Sequence, residues 1–532
     1  MEINKPNWLN PETLKYILVE CKWYFLLYIV MILSFSIFQL FIYKNHASIP
    51  RETISLIILT IVGILCILYH NGNKKKIHRI AFITIIIFGI ITLLLSPILI
   101  GCDEDEHLAR SDLTSEGILV PHYQHIGKHK GYYVEQVCVD LDGKNRFKTI
   151  YSTAIDDQKI NEKHVLVEAA FAQNPFYAYL PQGLGIWLAK ELNLNSIWVL
   201  WLGGLFNLLM YATVSSYAIK KTPILKMPML AVACLPFAVY EATTVSSDSF
   251  VLCFSLLLMA YFFTMYKAEE RSVNKTNLLI FFILCLSVGL IKPPLLFLAS
   301  LVAIIPKKNF NSLSDYKIGL IGVLLVFAIG AIWNVSYSTP GMKNSHRGPR
   351  AISMDINTGY QLKFMFSSIE SFTLIMWDII SKTWFVIADM FRFADWQGKY
   401  AAYSSTIMAV VFAIYYGLTS FLYPIKYKIS KKQRTIAAII FLVPYIALFL
   451  VQYLIWTPVG SLRIQGVQGR YFIPLLILLP FILNINSENT KYGERIRKKL
   501  TLTRLNKINL LSYVIIIGLL SCLQILTVVL YY

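Results

Sequence analysis

The sequence predicts an all-α polytopic membrane protein with about 11–13 transmembrane helices. Three observations point there. Of the 532 residues, 56% are hydrophobic and only 15% charged, whereas soluble proteins carry about 25% charged residues. The apolar residues fall in blocks of about 18–22, enough to cross a hydrocarbon core of about 30 Å. Lys and Arg gather in short segments between those blocks, such as "NGNKKKIHR" and "KYKISKKQR", as loops held on the cytoplasmic side do. This distribution also excludes a nucleic-acid reading of the net charge of +19.

Taken in order, apolar blocks place spans near 22–43, 53–70, 80–100, 196–218, 227–245, 250–266, 277–291, 295–306, 318–337, 404–424, 435–455, 471–485 and 510–530. The first lacks a small-residue cleavage site and reads as a full span rather than a signal peptide. Block 295–306 is short and fits half of a re-entrant hairpin with 277–291. The Lys/Arg bias puts the N-terminus in the cytoplasm. Two long loops, about 101–195 and 338–403, then face outward. The first contains "NPFYAYLPQGLGIWLAKELNLN" (174–195) and the second "IESFTLIMWDIISKTWFVIADMFRFADW" (369–396), both expected to lie in the membrane interface. The chain divides into an N-terminal two-span hairpin (1–79), a central membrane domain (80–485), and a cytoplasmic basic segment with a last span (486–532). The eight Cys are too scattered for a disulfide scaffold. Cys102 and Cys138 share the outer loop, where an oxidising compartment would permit a bridge, and both states stay open.

The residues that invite chemistry cluster outside. "GCDEDEHLAR" (101–110) sets Asp103, Glu104, Asp105, Glu106 and His107 immediately after a span. Adjacent carboxylates repel one another, and interfacial burial favours a carboxylate that serves as a base. Asp103 and Asp105 also form an Asp-x-Asp pair suited to Mg²⁺ or Mn²⁺. Lys292, before Pro293-Pro294, and Arg470, at the start of a span, are cations at membrane depth. Such side chains either snorkel to headgroups or hold an anion. Glu241, Thr244 and Asp248 share a helical face, fitting either sugar-hydroxyl recognition or capping of the next span. His122, His125 and His129 have metal-like spacing in a Gly- and Lys-bearing loop, a weak signal for a metal.

"DEDEHLARSDLTSEG" (103–117) resembles the D-E-x-x-H-x-x-R-x-x-x-x-S-x-G signature of a bacterial membrane family known as domain of unknown function 2142. Matching pieces follow in order: "NPFYAYLPQGLGIWLAK" (174–190), "VSSDSF" (245–250), "IKPPLLF" (291–297) and "GVQGRYFIPLL" (466–476). Cys102 stands where the family usually has Pro. That family in turn resembles the GT-C superfamily of membrane glycosyltransferases. The resemblance implies a GT-C-like fold in a bacterial cytoplasmic membrane. It also implies transfer of a sugar from a polyprenyl-phosphate donor to a cell-surface glycan such as O-antigen or teichoic acid. Asp103 or Glu104 would be the base, with a divalent cation at Asp103 and Asp105 as an option. Lys292 and Arg470 would hold the donor phosphate, with Asp248 and Tyr471 beside them. His107 and Arg110 would order the loop, Arg110 by pairing with a carboxylate. A transporter or flippase, or a polymerase of lipid-linked glycans, is the alternative.

Overall fold

The computed structural model describes residues 11–43, 48–127, 129–149, 157–169, 171–172, 174–340, 354–391, 399–425, 427–487 and 490–532. It is predominantly helical, and ten of its described helices are long and apolar enough to cross a membrane. In chain order come α1 (Pro11–Ile42), α2 (Ile49–Gly72), α3 (Ile77–Leu95), α4 (Glu104–Ser115), strands β1 (Gln124–Ile126) and β2 (His129–Glu135), α5 (Gln136–Asn145) and β3 (His164–Val167). Then follow α6 (Leu180–Glu191), α7 (Ile197–Lys221), α8 (Lys226–Ala233), α9 (Pro236–Glu241), α10 (Asp248–Tyr266), α11 (Lys275–Gly289), a 3₁₀ helix (Pro293–Ile304) and α12 (Leu313–Trp333). The last are α13 (Thr358–Met365), α14 (Ile369–Ser381), α15 (Thr383–Asp389), α16 (Lys399–Leu422), α17 (Lys431–Trp456), α18 (Lys491–Lys499) and α19 (Leu502–Tyr531).

Four expected spans are broken or short. The block 227–245 is two short helices, α8 and α9, because Pro236 starts a new helix and "TTVSS" cannot continue it. Thr243 and Thr244 donate their hydroxyls back to the carbonyls of Tyr240 and Glu241 at 2.7 and 2.9 Å, the local bonding by which Ser and Thr compete with a helix. Bare carbonyls are costly in lipid, and here neighbours satisfy them. Asn207 donates to Thr244 (2.7 Å), Ser111 to Val245 (3.1 Å) and Gln182 to Ser246 (2.9 Å). The expected hairpin of 277–291 with 295–306 is a 15-residue α11 against a 12-residue 3₁₀ helix. At about 1.5 and 2.0 Å per residue, neither reaches 30 Å. The segment after Gln468 is a 3₁₀ turn followed by two short helices, each with a Pro in its first turn.

The first long loop, about 101–195, is a small folded unit, which the sequence pattern does not announce. Its antiparallel sheet runs β1-β2-β3, with Tyr132 opposite Val167 and Val134 opposite Val165. A core of its own joins Leu108, Leu113, Tyr132, Val134, Val137, Leu141 and Ile186. Helix α6 packs its small face, Gly183 and Gly185 included, against α4 and α7; a Cβ on Gly185 would meet the Leu202 carbonyl at 2.3 Å. That leaves Leu180, Leu184 and Trp187 exposed along one ridge, the apolar face an interfacial helix presents to lipid. In the second loop, α14 and α15 together are long and apolar enough to cross a membrane rather than only lie on it. Residues 341–353 and 392–398 of that loop lie outside the described residues. Outside the central region, α1 and α2 pack on α19, where the Tyr28 hydroxyl lies 2.7 Å from Ser521 Oγ.

Candidate functional site

Four interruptions of regular structure meet at one place: the turn before α4, the break between α9 and α10, the bend before the 3₁₀ helix, and the 3₁₀ turn Gly469–Phe472. Each delivers a charged side chain. Asp103 is the N-cap of α4 and sits in the left-handed region at φ 57°, strained for most residues though tolerated by Asp. Glu241 closes α9 and Asp248 opens α10. The sequence places Glu241, Thr244 and Asp248 on one helical face; instead Glu241 and Asp248 converge from opposite ends of the break. Ser247, at the N-cap of α10, makes no side-chain capping bond.

Arg470 is the hub. Its Nη2 lies 3.0 Å from Asp103 Oδ2, its Nη1 3.5 Å from Glu241 Oε1, and its Nε 2.7 Å from Asp248 Oδ2. The last contact is close without hydrogen-bond alignment. Nη1 also donates to the Cys102 carbonyl at 3.1 Å. Lys292 Nζ is 2.8 Å from Asp248 Oδ1 and sits over the Tyr471 ring, 4.1 Å from its centroid. Gly469 anchors the hub: its N–H donates to Asp389, and a Cβ there would meet the Val386 carbonyl at 2.5 Å. Neither cation is a snorkelling side chain. Both are engaged by carboxylates.

Access is uneven. The side chains of Glu241, Asp248 and Arg470 are at most 5% exposed, Lys292 is 20% exposed and Asp103 36%. Asp103 and Lys292 therefore form the open rim of a buried cluster of three carboxylates and two cations. His107 stands behind it, its ring stacked on Phe171 at 4.4 Å and its Nδ1 2.7 Å from the Tyr179 hydroxyl. Burial holds His107 down to about 3, against the pull of Asp248, so the ring is neutral near pH 7.

The rest of the acidic run points elsewhere. Glu104, Asp105 and Glu106 occupy the first turn of α4, where the helix dipole favours negative charge. The run is thus less of an electrostatic cost than its sequence implies. Glu104 turns inward, its Oε2 accepting from the Gly101 N–H at 2.9 Å, and burial pushes its carboxyl up to about 7. Asp105 lies 3.4 Å from Arg146, so Asp103 and Asp105 have different side-chain partners. Arg110 contradicts its expected pairing with a carboxylate. It donates to the carbonyls of Asn174, Ile118 and Leu119 and to Thr114 Oγ1, tying α4 to the loops around it. Cys102 and Cys138 are both free thiols. Cys102 neighbours Arg470 and Cys138 neighbours Asp112 and Lys190. His125 sits on an exposed hairpin opposite Lys130, and neither His122 nor His125 falls in a metal-sized group among the described residues, while the side chain of His129 lies outside them.

The family described as predicted membrane protein DUF2142 matches residues 86–479. The chain belongs to that family. The match contains every residue of the charge cluster and leaves out α1, α2 and α19, the three helices that pack on one another. No curated protein and no solved structure matches the chain. Glu241 is the site residue whose role was least legible. The sequence marks it only as one of three polar positions, and the signal for the break is "TTVSS" behind Pro236.

Proposed function

We propose that this membrane protein is a GT-C-like glycosyltransferase that uses a polyprenyl-phosphate-linked sugar on the outer side of a bacterial cytoplasmic membrane, with its N-terminus in the cytoplasm. The observation that carries the reading is the half-exposed Asp103 resting on the buried Arg470, beside Lys292, where broken helices meet. Buried ionisable groups on irregular backbone in a membrane protein are functional by default. Donors outside the cytoplasm have no nucleotide carrier, so a lipid phosphate is the chemical class that reaches this depth.

The geometry suggests an exchange. A donor phosphate takes the place of the Asp103 carboxylate on Arg470 and gains Lys292 as a second contact. An Arg forks onto phosphate oxygens and a Lys adds a point charge. The displaced Asp103 is then free to take a proton from the acceptor hydroxyl. As the hydroxyl oxygen bonds to the anomeric carbon, the bond from that carbon to the phosphate oxygen breaks. The proton ends on Asp103 and the polyprenyl phosphate leaves on the cations. Glu104, buried and bonded to the Gly101 N–H, is not used in this step. Transfer of radiolabelled sugar from a polyprenyl-phosphate donor by the reconstituted full chain tests the reading. It stands if Asp103→Asn transfers at least a hundredfold more slowly, as loss of a base typically causes. Equal rates would remove it.

One observation favours a second reading. Discontinuous helices around buried charges also build ion and substrate sites in transporters. Movement of a lipid-linked glycan between leaflets without bond cleavage, in the same vesicles, would select that reading.

A further inference from the structure

The two long loops reach Arg470 in different ways. The first supplies Asp103, which meets the guanidinium directly. The second grips the backbone that carries Arg470. Helices α14 and α15 bury Ile375, Ile379 and Val386 and leave Ile369, Trp377, Ile380 and Trp384 exposed. Their polar side chains Asp378, Lys382 and Asp389 hold the segment from Ile464 to Gly469 at both of its ends.

At the first end, both peptide groups of Ile464 are held. Asp378 Oδ2 accepts the Ile464 N–H at 2.8 Å and a proton from Lys382 Nζ at 2.7 Å. The same Nζ donates to the Ile464 carbonyl. At the second end, Asp389 accepts the Gly469 N–H. Gly469 opens the 3₁₀ turn Gly469–Phe472, and the first N–H groups of such a turn have no partner within it. The N-cap residue, Gln468, makes no side-chain capping bond. Asp389 supplies that cap from 80 residues away, as an N-cap carboxylate would from its own chain end. Asp389 is also the last residue of α15, where neighbouring carbonyls disfavour a negative charge. The bond to the Gly469 N–H offsets that cost. Packing leaves little slack, since a Cβ on Gly469 would meet the Val386 carbonyl at 2.5 Å and the Met390 nitrogen at 2.6 Å.

We propose that Asp389 is a positioning residue for Arg470: by capping the 3₁₀ turn it fixes where the guanidinium meets its anionic partner. That this partner is a donor phosphate rests on the transferase reading; the cap itself does not. One peptide unit separates the Gly469 N–H from Arg470, so a shift of the turn carries the guanidinium with it. A misplacement of about 1 Å can cost roughly a hundredfold where reacting groups must be aligned. Asp389 also neighbours Cys102, whose carbonyl accepts from Arg470 Nη1 at 3.1 Å. The second long loop thereby holds in place the cation on which Asp103 of the first loop rests.

The test has two arms, both on the full chain in detergent. In the first, hydrogen exchange read by mass spectrometry follows the Gly469 amide. Asp389→Ala should exchange it about tenfold faster or more, and Asp389→Asn, which keeps an acceptor oxygen, within about threefold of wild type. Equal exchange in wild type and Asp389→Ala overturns the cap. In the second arm, native mass spectrometry measures retention of decaprenyl phosphate, with decaprenol as the uncharged control. Asp389→Ala should retain about fivefold less of the phosphate or lower still, with decaprenol retained as in wild type, because only the phosphate engages Arg470. Asp389→Asn should restore phosphate retention to within about twofold. Undiminished phosphate retention in Asp389→Ala, a loss that decaprenol shares, or a loss that Asp389→Asn does not restore overturns the positioning role. Where Asp389→Ala does not fold, Asp389→Glu replaces it, its carboxylate one methylene further out. About threefold weaker phosphate retention is then expected, and unchanged retention overturns the role. Wild-type retention of decaprenyl phosphate no greater than that of decaprenol would remove the donor reading, and the exchange arm would then decide the cap alone.

Discussion

Two places among the described residues bury a cation between carboxylates, and they differ in everything around the charges. In the folded unit of the first long loop, Lys190 Nζ lies 2.8 Å from both Asp112 and Glu135 and 2.8 Å from Ser115 Oγ. Its partners come from α4 and the end of β2, and the cluster ties those elements to α6. At the membrane boundary, Arg470 and Lys292 hold Asp103, Glu241 and Asp248 on segments where helices stop. The Lys190 cluster is covered, with Lys190 only 10% exposed, whereas the Arg470 cluster opens through Asp103. Similar charge chemistry thus ties regular, closed backbone together at Lys190, and under the proposed reading it forms a site where backbone is broken and Asp103 is open.

Substitutions should separate the two. The largest effect is expected at the membrane cluster: Arg470→Gln and Lys292→Gln should cut transfer by about two to four orders of magnitude, the scale on which preorganised charge acts. Chromatography in detergent should still return folded protein. Comparable transfer by either variant would make that cluster a tie as well. Lys190→Met should do the reverse. Removing one partner of a buried ion group typically costs about 3–5 kcal/mol, so its Tm should fall steeply while turnover per folded molecule holds. Adding Asp112→Asn and Glu135→Gln should restore most of that Tm. Failure of the restoration would show that Lys190 does more than balance charge.

A smaller effect is expected at Glu104. Burial raises its folded-state pKa to about 7, above the ordinary carboxylate value near 4.5. The folded chain therefore holds more protons than the unfolded chain between those values, and stability falls as pH rises through that window. Glu104→Gln should raise Tm at pH 8 by several degrees, with the gain vanishing near pH 4.5. A gain that grows towards acid pH would reverse the sign and refute the assignment. The smallest effect is expected at Cys102. Arg470 bonds its carbonyl and not its thiol, so Cys102→Ser should transfer at close to the wild-type rate. A large loss would bring the thiol into the site.

The membrane character and most spans were legible because lipid imposes a long apolar block on each crossing helix. The breaks were harder to read. Blocks 227–245 and 471–485 are as apolar as spans, and only their Pro, Thr and Ser residues mark where helices stop. Lys292 and Arg470 stood out as charges beside apolar runs. Their partners did not, because Asp103, Glu241 and Asp248 reach Arg470 across separations in sequence that no periodicity links. The small sheet was hard to read because its strands are short and sit in a polar loop, although Tyr132 and Val134 alternate inward along β2. Arg110 was expected to seek a carboxylate; four neutral oxygens satisfy it instead.

The central claim is that an anionic lipid phosphate exchanges for Asp103 on Arg470. Retention of a polyprenyl phosphate by the detergent-purified chain, followed by native mass spectrometry, tests it most directly. The account predicts that the wild-type chain retains the lipid and that Asp103→Asn retains it more tightly, because the competing carboxylate is gone. It predicts that Arg470→Gln retains at least tenfold less. Equal retention by all three, or weaker retention by Asp103→Asn, would contradict it.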